Sequence, residues 1–396
     1  MTRTLPESET QAAPPTGPSL RQRLATRWAA IPATDLEVLG LWLLSRAATL
    51  VVVAAGGWLF VDGTRVEPFL ERWDQWDVPH LITVAMNGYG TRPTNVPLEA
   101  FFPGLPLLLR GLHTVGIDYL AAGLLVSFIA GAVAVIALAR LADLDGEPGV
   151  GRRAVLFLLL SPGVVFLAAG YTEALFLAFA IPAWLAARRD RWLLAGLLAA
   201  GACTVRVSGV FLAVALVVHY LVGDGGIRRR GWRGAPALLL PAIPLALFML
   251  HLQARTGNWL AWQAAQEEGW SRRLTDPWTA LRTTFDGAFD PAQPPLWQWT
   301  WRYEIVVVFL GVAFTAWLLW RRRWGESAYV GLSLAALATS SWYFSVPRAT
   351  LLWFPLWIAL ATWSMRARWV LVAWLTVAAP MAVVFTLVFT TGRWAG

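Results

Sequence analysis

The sequence predicts an all-α polytopic membrane protein, on three observations. The chain of 396 residues is 57% hydrophobic and 14% charged, with a mean hydropathy of +0.55. That leaves too little polar surface for a globule in water. Apolar runs from Leu36 to Phe60, Leu120 to Leu141, Ile305 to Trp320 and Trp369 to Phe389 approach the roughly 20 residues that carry a helix across about 30 Å of hydrocarbon. The chain holds no Lys, and its Arg residues collect in short connections between apolar runs, where the positive-inside rule makes them a record of topology.

In chain order, residues 1–30 begin with a Pro-, Ser- and Thr-rich stretch without an apolar core, and are expected to form a disordered cytosolic tail. No short apolar segment with a small-residue cleavage site follows, so a signal peptide is not expected. Residues 31–396 are expected to form a single transmembrane domain. Arg21, Arg23 and Arg27, then Arg140, Arg152 and Arg153, Arg188, Arg189 and Arg191, Arg228 to Arg230 with Arg233, Arg321 to Arg323, and Arg366 with Arg368 are all placed in the cytoplasm. Threading the chain through these clusters gives about eleven crossings, with the N-terminus inside and the C-terminus outside. The net charge of +8 and pI near 10.4 are thereby explained as topology, and nucleic acid is not an expected partner. Cys203 stands alone, which excludes an intrachain disulfide and a cysteine metal cluster.

Two outward segments, about residues 61–117 and 254–302, exceed simple connections. Both are rich in Trp and Phe, and amphipathic helices lying on the membrane are expected in the first. The remaining ionisable residues fall mostly on this outer side, and such groups at a bilayer edge are costly unless they pair or line a hydrated cavity. Asp74, Asp77 and His80 are spaced three apart; on a helix they would share one face. That face suits a general base with a tuning neighbour, or a divalent ion, or merely the wet side of an amphipathic helix. The expectation is that no cofactor or metal is needed, with the divalent ion as the competing reading. Trp73 and Trp76 offer flat apolar surfaces for a sugar or a headgroup. Pro103 and Pro106 force a corner after Phe101-Phe102. Glu173 in Tyr171-Thr172-Glu173 lies at a hairpin tip, Arg206 at a turn between two short apolar runs, and Arg348 at the end of another run. Guanidinium groups so placed suit a phosphate at the lipid surface, with snorkelling to headgroups as the alternative.

These residues resemble the PIG-V family of mannosyltransferases, within the glycosyltransferase C superfamily. The likeness is carried by Trp76-Asp77-Val78-Pro79-His80, with Gly88-Tyr89 after it, then Ala100-Phe101-Phe102-Pro103-Gly104-Leu105-Pro106. Tyr171-Thr172-Glu173, Arg206-Val207-Ser208-Gly209, Pro347-Arg348 and Phe354-Pro355 follow in order. The resemblance implies a glycosyltransferase C type helical bundle with its catalytic site on the extracytoplasmic face of a cell membrane. It implies transfer of mannose from a polyprenyl-phosphate-mannose donor to a lipid or glycan acceptor, with inversion at the sugar carbon. Asp77 would be the general base, with Asp74 as rival in the second Trp-Asp pair and His80 beside it. Trp76, Tyr89, Tyr171, Glu173, Arg206 and Arg348 would bind substrate, the two arginines as a phosphate clamp. A polyprenyl-linked lipid flippase is the reading from another class, and a different polyprenyl-linked sugar the nearer variant. The Arg-only usage points to a bacterial source, where a mannosylated lipid or cell-wall glycan is a better acceptor than a GPI anchor.

Overall fold

The computed structural model describes residues 32–60, 68–90 and 96–395. The tail expected over residues 1–30 lies outside the described residues, as do 61–67 and 91–95 of the first outer segment. Among the described residues all regular structure is helical.

Helices α1 (Ala33–Leu59), α4 (Tyr119–Ala142), α13 (Pro295–Trp320) and α17 (Arg368–Thr390) correspond to the four long apolar runs. A fifth apolar stretch, Ala235–Thr256, ends in α10 (Ala242–Thr256). These five are long and apolar enough to cross a membrane, and α13 and α17 leave large side chains such as Leu310 (63%) and Val372 (59%) bare for lipid. The chain is a multi-pass membrane protein. Reaching about eleven crossings would require shorter helices to cross as well. The paired helices α7 (Trp192–Val205) and α8 (Ser208–Val222) are each only about 22 Å long.

The described parts of the two segments expected to lie outside are folded. The first contains α2 (Asp77–Asn87), closed by Gly88 at φ 73°, and α3 (Gly104–His113), which starts at the Pro103 corner. The second contains α11 (Ala261–Trp270) and α12 (Pro277–Phe289). Asp276 accepts the free amides of Trp278 and Thr279 and Pro277 occupies the first turn of α12, where it loses no helical hydrogen bond. The second segment ends earlier than expected, because α13 already runs from Pro295. Val84, Tyr89, Leu98, Phe102, Phe248 and Leu252 form a small core of their own that fixes these segments to α10.

Beneath them, glycines let α4 pack closely on the chain that leads into α6 (Thr172–Arg188) and on α1. A Cβ on Gly123 would lie 3.1 Å from the Cα of Gly170, and one on Gly131 would lie 2.1 Å from the ring of the buried Trp42 of α1. Gly131→Ala is therefore expected to overpack this contact by about 1–3 kcal/mol, read as a lowered Tm of the purified protein in detergent.

Among the described residues, arginines from three of these clusters pair with acids toward one end of the bundle. Arg188 pairs with Asp145 (2.6 Å) and Asp224 (3.2 Å), Arg230 with Asp190 (2.8 Å), and Arg140 with Asp35 near the start of α1. Helix α6 runs from Thr172 to Arg188, about 25 Å, so everything around Glu173 lies at the opposite end.

Candidate active site

Asp77 opens α2, and the residue before it, Trp76, has φ 58°, a left-handed conformation that a bulky residue adopts only under constraint. The expectation that Asp74, Asp77 and His80 share a helical face fails for this reason. The chain turns at Trp76, and Asp74 ends a separate short turn, Glu71–Trp73. Pro79 is tolerated in the first turn of α2, where its missing N–H has no helical partner to lose. The backbone N–H of Asp77 donates to Tyr171 Oη (3.1 Å), which in turn donates to the carbonyl of Gln75 (3.3 Å). Tyr171 thereby holds the turn.

The Asp77 carboxylate accepts from Arg348 Nη1 (2.9 Å), and Arg348 Nε donates to Glu173 Oε1 (2.6 Å). The same oxygen accepts from Arg206 Nη1 (2.5 Å), which also reaches Thr172 Oγ1 (2.7 Å). The guanidinium of Arg348 lies against the rings of Phe166 and Tyr171 at 4.7 and 4.5 Å. Glu173 is fully buried under this cluster, while the Asp77 and Arg206 side chains keep 19% and 23% exposure. Two guanidinium groups and two carboxylates thus compensate one another, which is what allows them to sit at a membrane surface.

Local packing explains the sequence around each group. A Cβ at Gly209 would lie 2.6 Å from the backbone of Cys203, so the glycine lets α8 start against the end of α7 and puts Arg206 in the tight link between them. Arg348 sits in α15 (Val346–Ala349), after Ser345 at φ 65°. Glu304 of α13, fully buried, accepts the N–H of Ser345 with Oε1 (2.6 Å) and that of Val346 with Oε2 (2.9 Å). It therefore fixes the short helix that carries Arg348. Glu304→Ala would remove the acceptor that serves both amides, at about 1–3 kcal/mol each. A lower Tm is expected for Glu304→Ala than for Glu304→Gln, which keeps one acceptor.

A cavity of about 420 Å³ opens above the cluster. Asp77, Arg206 and Arg348 line its floor, Trp262, Gln266, Trp270, Arg272 and Arg273 of the second outer segment form one wall, and the apolar Phe211, Leu337 and Leu352 another. Phe211 belongs to α8 and Leu337 to α14 (Trp324–Ala338). Cations and one carboxylate at the base of a half-apolar cleft suit an anionic headgroup with an attached hydrocarbon chain.

Of the residues singled out in the sequence, Asp77, Tyr171, Glu173, Arg206 and Arg348 come together. His80 lies on α2 behind Asp77 and packs against the Phe101 ring at 5.7 Å. Burial lowers the pKa of its imidazole, against the opposing charge of Asp77, which favours the neutral form. Asp74 lies off the cavity wall, and burial, then the charges of Asp118 and Glu71, push its carboxyl up. Trp76 donates Nε1 to the Arg393 carbonyl (3.2 Å) and meets Trp394 edge-on. Tyr89 is buried in the small outer core and its hydroxyl donates to the carbonyl of Phe101 (2.8 Å), so it braces the Pro103 corner. Among the described residues, no group of three or more His, Cys, Asp or Glu side chains gathers where it could hold a metal ion. Sequence reasoning missed Glu304, Arg272 and Arg273. Glu304 carried a usable signal, as an acid leading into an apolar run.

The family model described as dolichyl-phosphate-mannose-protein mannosyltransferase matches residues 96–260. The GPI alpha-1,6-mannosyltransferase 2 of Cricetulus griseus is 32% identical over 198 residues, 47% of this chain and 38% of that protein. Its Mus musculus counterpart is 32% identical over 195 residues, 46% of this chain and 37% of that protein. Over this part of its length the chain is similar to the GPI alpha-1,6-mannosyltransferases. It spans less than two-fifths of the length of these curated relatives. Among solved structures, ArnT from Cupriavidus metallidurans bound to undecaprenyl phosphate aligns over 89% of this chain and 76% of its own, at 16% identity and a TM-score of 0.44. Of the residues that carry the PIG-V resemblance, Asp77, Tyr171 to Glu173, Arg206 and Arg348 come from four separate stretches and meet in one hydrogen-bonded cluster.

Proposed function

We propose that this protein is a membrane glycosyltransferase, moving mannose from a polyprenyl-phosphate-mannose donor to a lipid or glycan acceptor, with inversion at the sugar carbon. The observation that carries this reading is the convergence of Asp77, Glu173, Arg206 and Arg348 at the floor of a half-apolar cavity. Phosphate is a good leaving group, so the reaction needs a base for the acceptor hydroxyl and cations for the departing phosphate, with no dedicated acid. Asp77 is the base, supported over Asp74 by its place on the cavity wall and its bond to Arg348. His80 sits behind it as an orienting neighbour. Arg206 and Arg348 meet the phosphate, and Glu173 holds both guanidinium groups in place. When phosphate oxygens take up Arg348, the Asp77 carboxylate is released from that bond and is free to accept the proton of the acceptor hydroxyl. A single displacement from the face opposite the phosphate gives inversion.

The site faces the extracytoplasmic side in this reading, with the arginine-rich end of α6 retained in the cytoplasm. The apolar wall lets the polyprenyl chain reach the cavity from the membrane plane.

The test is a donor comparison with purified protein and a membrane lipid extract. Labelled mannose is expected in a new lipid or glycan product when presented on polyprenyl phosphate, and not when presented on a nucleotide. Glucose and arabinose on the same lipid carrier measure sugar choice. Transfer from the nucleotide donor alone would overturn the proposal.

A further inference from the structure

Four guanidinium groups line the cavity, and they are not equivalent. Arg206 and Arg348 are bound to Glu173, Arg348 also to Asp77, and Arg273 pairs with Glu267 at 2.5 Å. Arg272 differs: among the described residues no carboxylate lies within ion-pair distance of it, and its Nη2 makes a long hydrogen bond, 3.4 Å, to the carbonyl of Phe344. Of the two acids whose charge reaches it, Asp77 is bonded to Arg348 and Glu304 has both oxygens on the amides of Ser345 and Val346. Arg272 lies close enough to Arg348, Asp77, Glu304 and Arg206 to feel their charges. Burial, then the like charge of Arg348, lower its guanidinium to about 10, which leaves it cationic at neutral pH and short of an anion.

We infer that Arg272 is the primary contact for the phosphate of the lipid-linked sugar, and that it holds the released polyprenyl phosphate more tightly than the intact donor. The inference rests on the transferase reading above and names the group that meets its leaving phosphate. In the transfer step the acceptor oxygen bonds to the sugar carbon as its proton passes to Asp77. The bond from that carbon to the phosphate oxygen breaks, and its electron pair stays on the phosphate. A phosphodiester with one negative charge becomes a monoester that carries a second. A guanidinium with no carboxylate partner answers that added charge directly. Arg206 and Arg348 answer it only by weakening bonds they already hold. An interaction that grows as charge develops lowers the barrier as well as binding the product.

The experiment measures polyprenyl phosphate binding to the full chain in nanodiscs, which needs no turnover, beside kcat and KM for the polyprenyl-phosphate-mannose donor. Arg272→Gln is expected to weaken polyprenyl phosphate binding about tenfold or more and to lower kcat, with Arg272→Lys recovering part of both. Arg282→Gln, an exposed cation of α12 (77% exposed side chain), controls for general loss of charge and is expected to bind as wild type does. Equal binding by wild type and Arg272→Gln would overturn the assignment of Arg272 and leave the transferase reading intact. No binding of polyprenyl phosphate by wild type would overturn both.

Discussion

Asp77→Asn is expected to reduce sugar transfer by about 10²- to 10⁴-fold, the usual contribution of a positioned general base, while the protein remains folded. Asparagine has the same shape, and its amide oxygen can still accept from Arg348 Nη1, the bond seen at 2.9 Å. The backbone N–H that Tyr171 accepts at the start of α2 is unchanged. What the substitution removes is a group able to take the acceptor proton. Initial rates under saturating donor, with Tm as the check on folding, measure the effect. Asp74→Asn is the informative companion: Asp74 lies off the cavity wall, so a fall of less than a few-fold is expected. The reverse pattern would move the base to Asp74.

Glu173→Ala is expected to be the most destabilising single change in the site. One oxygen of this fully buried carboxylate holds two guanidinium groups, Arg206 and Arg348. Removing one member of a buried ionic cluster costs about 3–5 kcal/mol, because the partners stay buried without compensation. The loss would appear as a much lower Tm and poor recovery from detergent. Glu173→Gln is expected to be milder in stability. Its amide oxygen can occupy the place of Oε1, and its NH₂ the place of Oε2, which has no hydrogen-bond partner to lose. Its activity should still fall, since the two arginines would no longer be held by a full charge. Equal stability of Glu173→Ala and wild type would contradict the packing described.

Much of the architecture was legible in the sequence because lipid imposes length and polarity together. The run Leu120 to Leu141 became Tyr119–Ala142, and Trp369 to Phe389 became Arg368–Thr390. The turn at Arg206 followed from two arginine clusters that had to lie on one side, and the Pro103 corner from proline chemistry. Helical spacing misled at Asp74, because it presumed a helix where Trp76 reverses the backbone. Tyr89 pointed to a ligand in the sequence, yet its hydroxyl is taken by the Phe101 carbonyl in a packed outer core. The roles of Glu304 and Arg272 were hidden for a different reason. The partners of Glu304 lie 41 and 42 residues away, and Asp77 meets Arg348 across 271. Such contacts belong to the tertiary fold, and only the motif order of the PIG-V resemblance bridged any of them.

Covalent transfer at Asp77, as opposed to movement of an intact lipid, is tested most directly in proteoliposomes loaded with polyprenyl phosphate carrying labelled mannose, together with a lipid acceptor fraction. The expected result is label in a new product, with unlabelled polyprenyl phosphate accumulating in equal amount, and neither formed by Asp77→Asn. Passage of intact labelled donor from one leaflet to the other, with no new product and no difference between wild type and Asp77→Asn, would contradict it and mark the protein as a transporter.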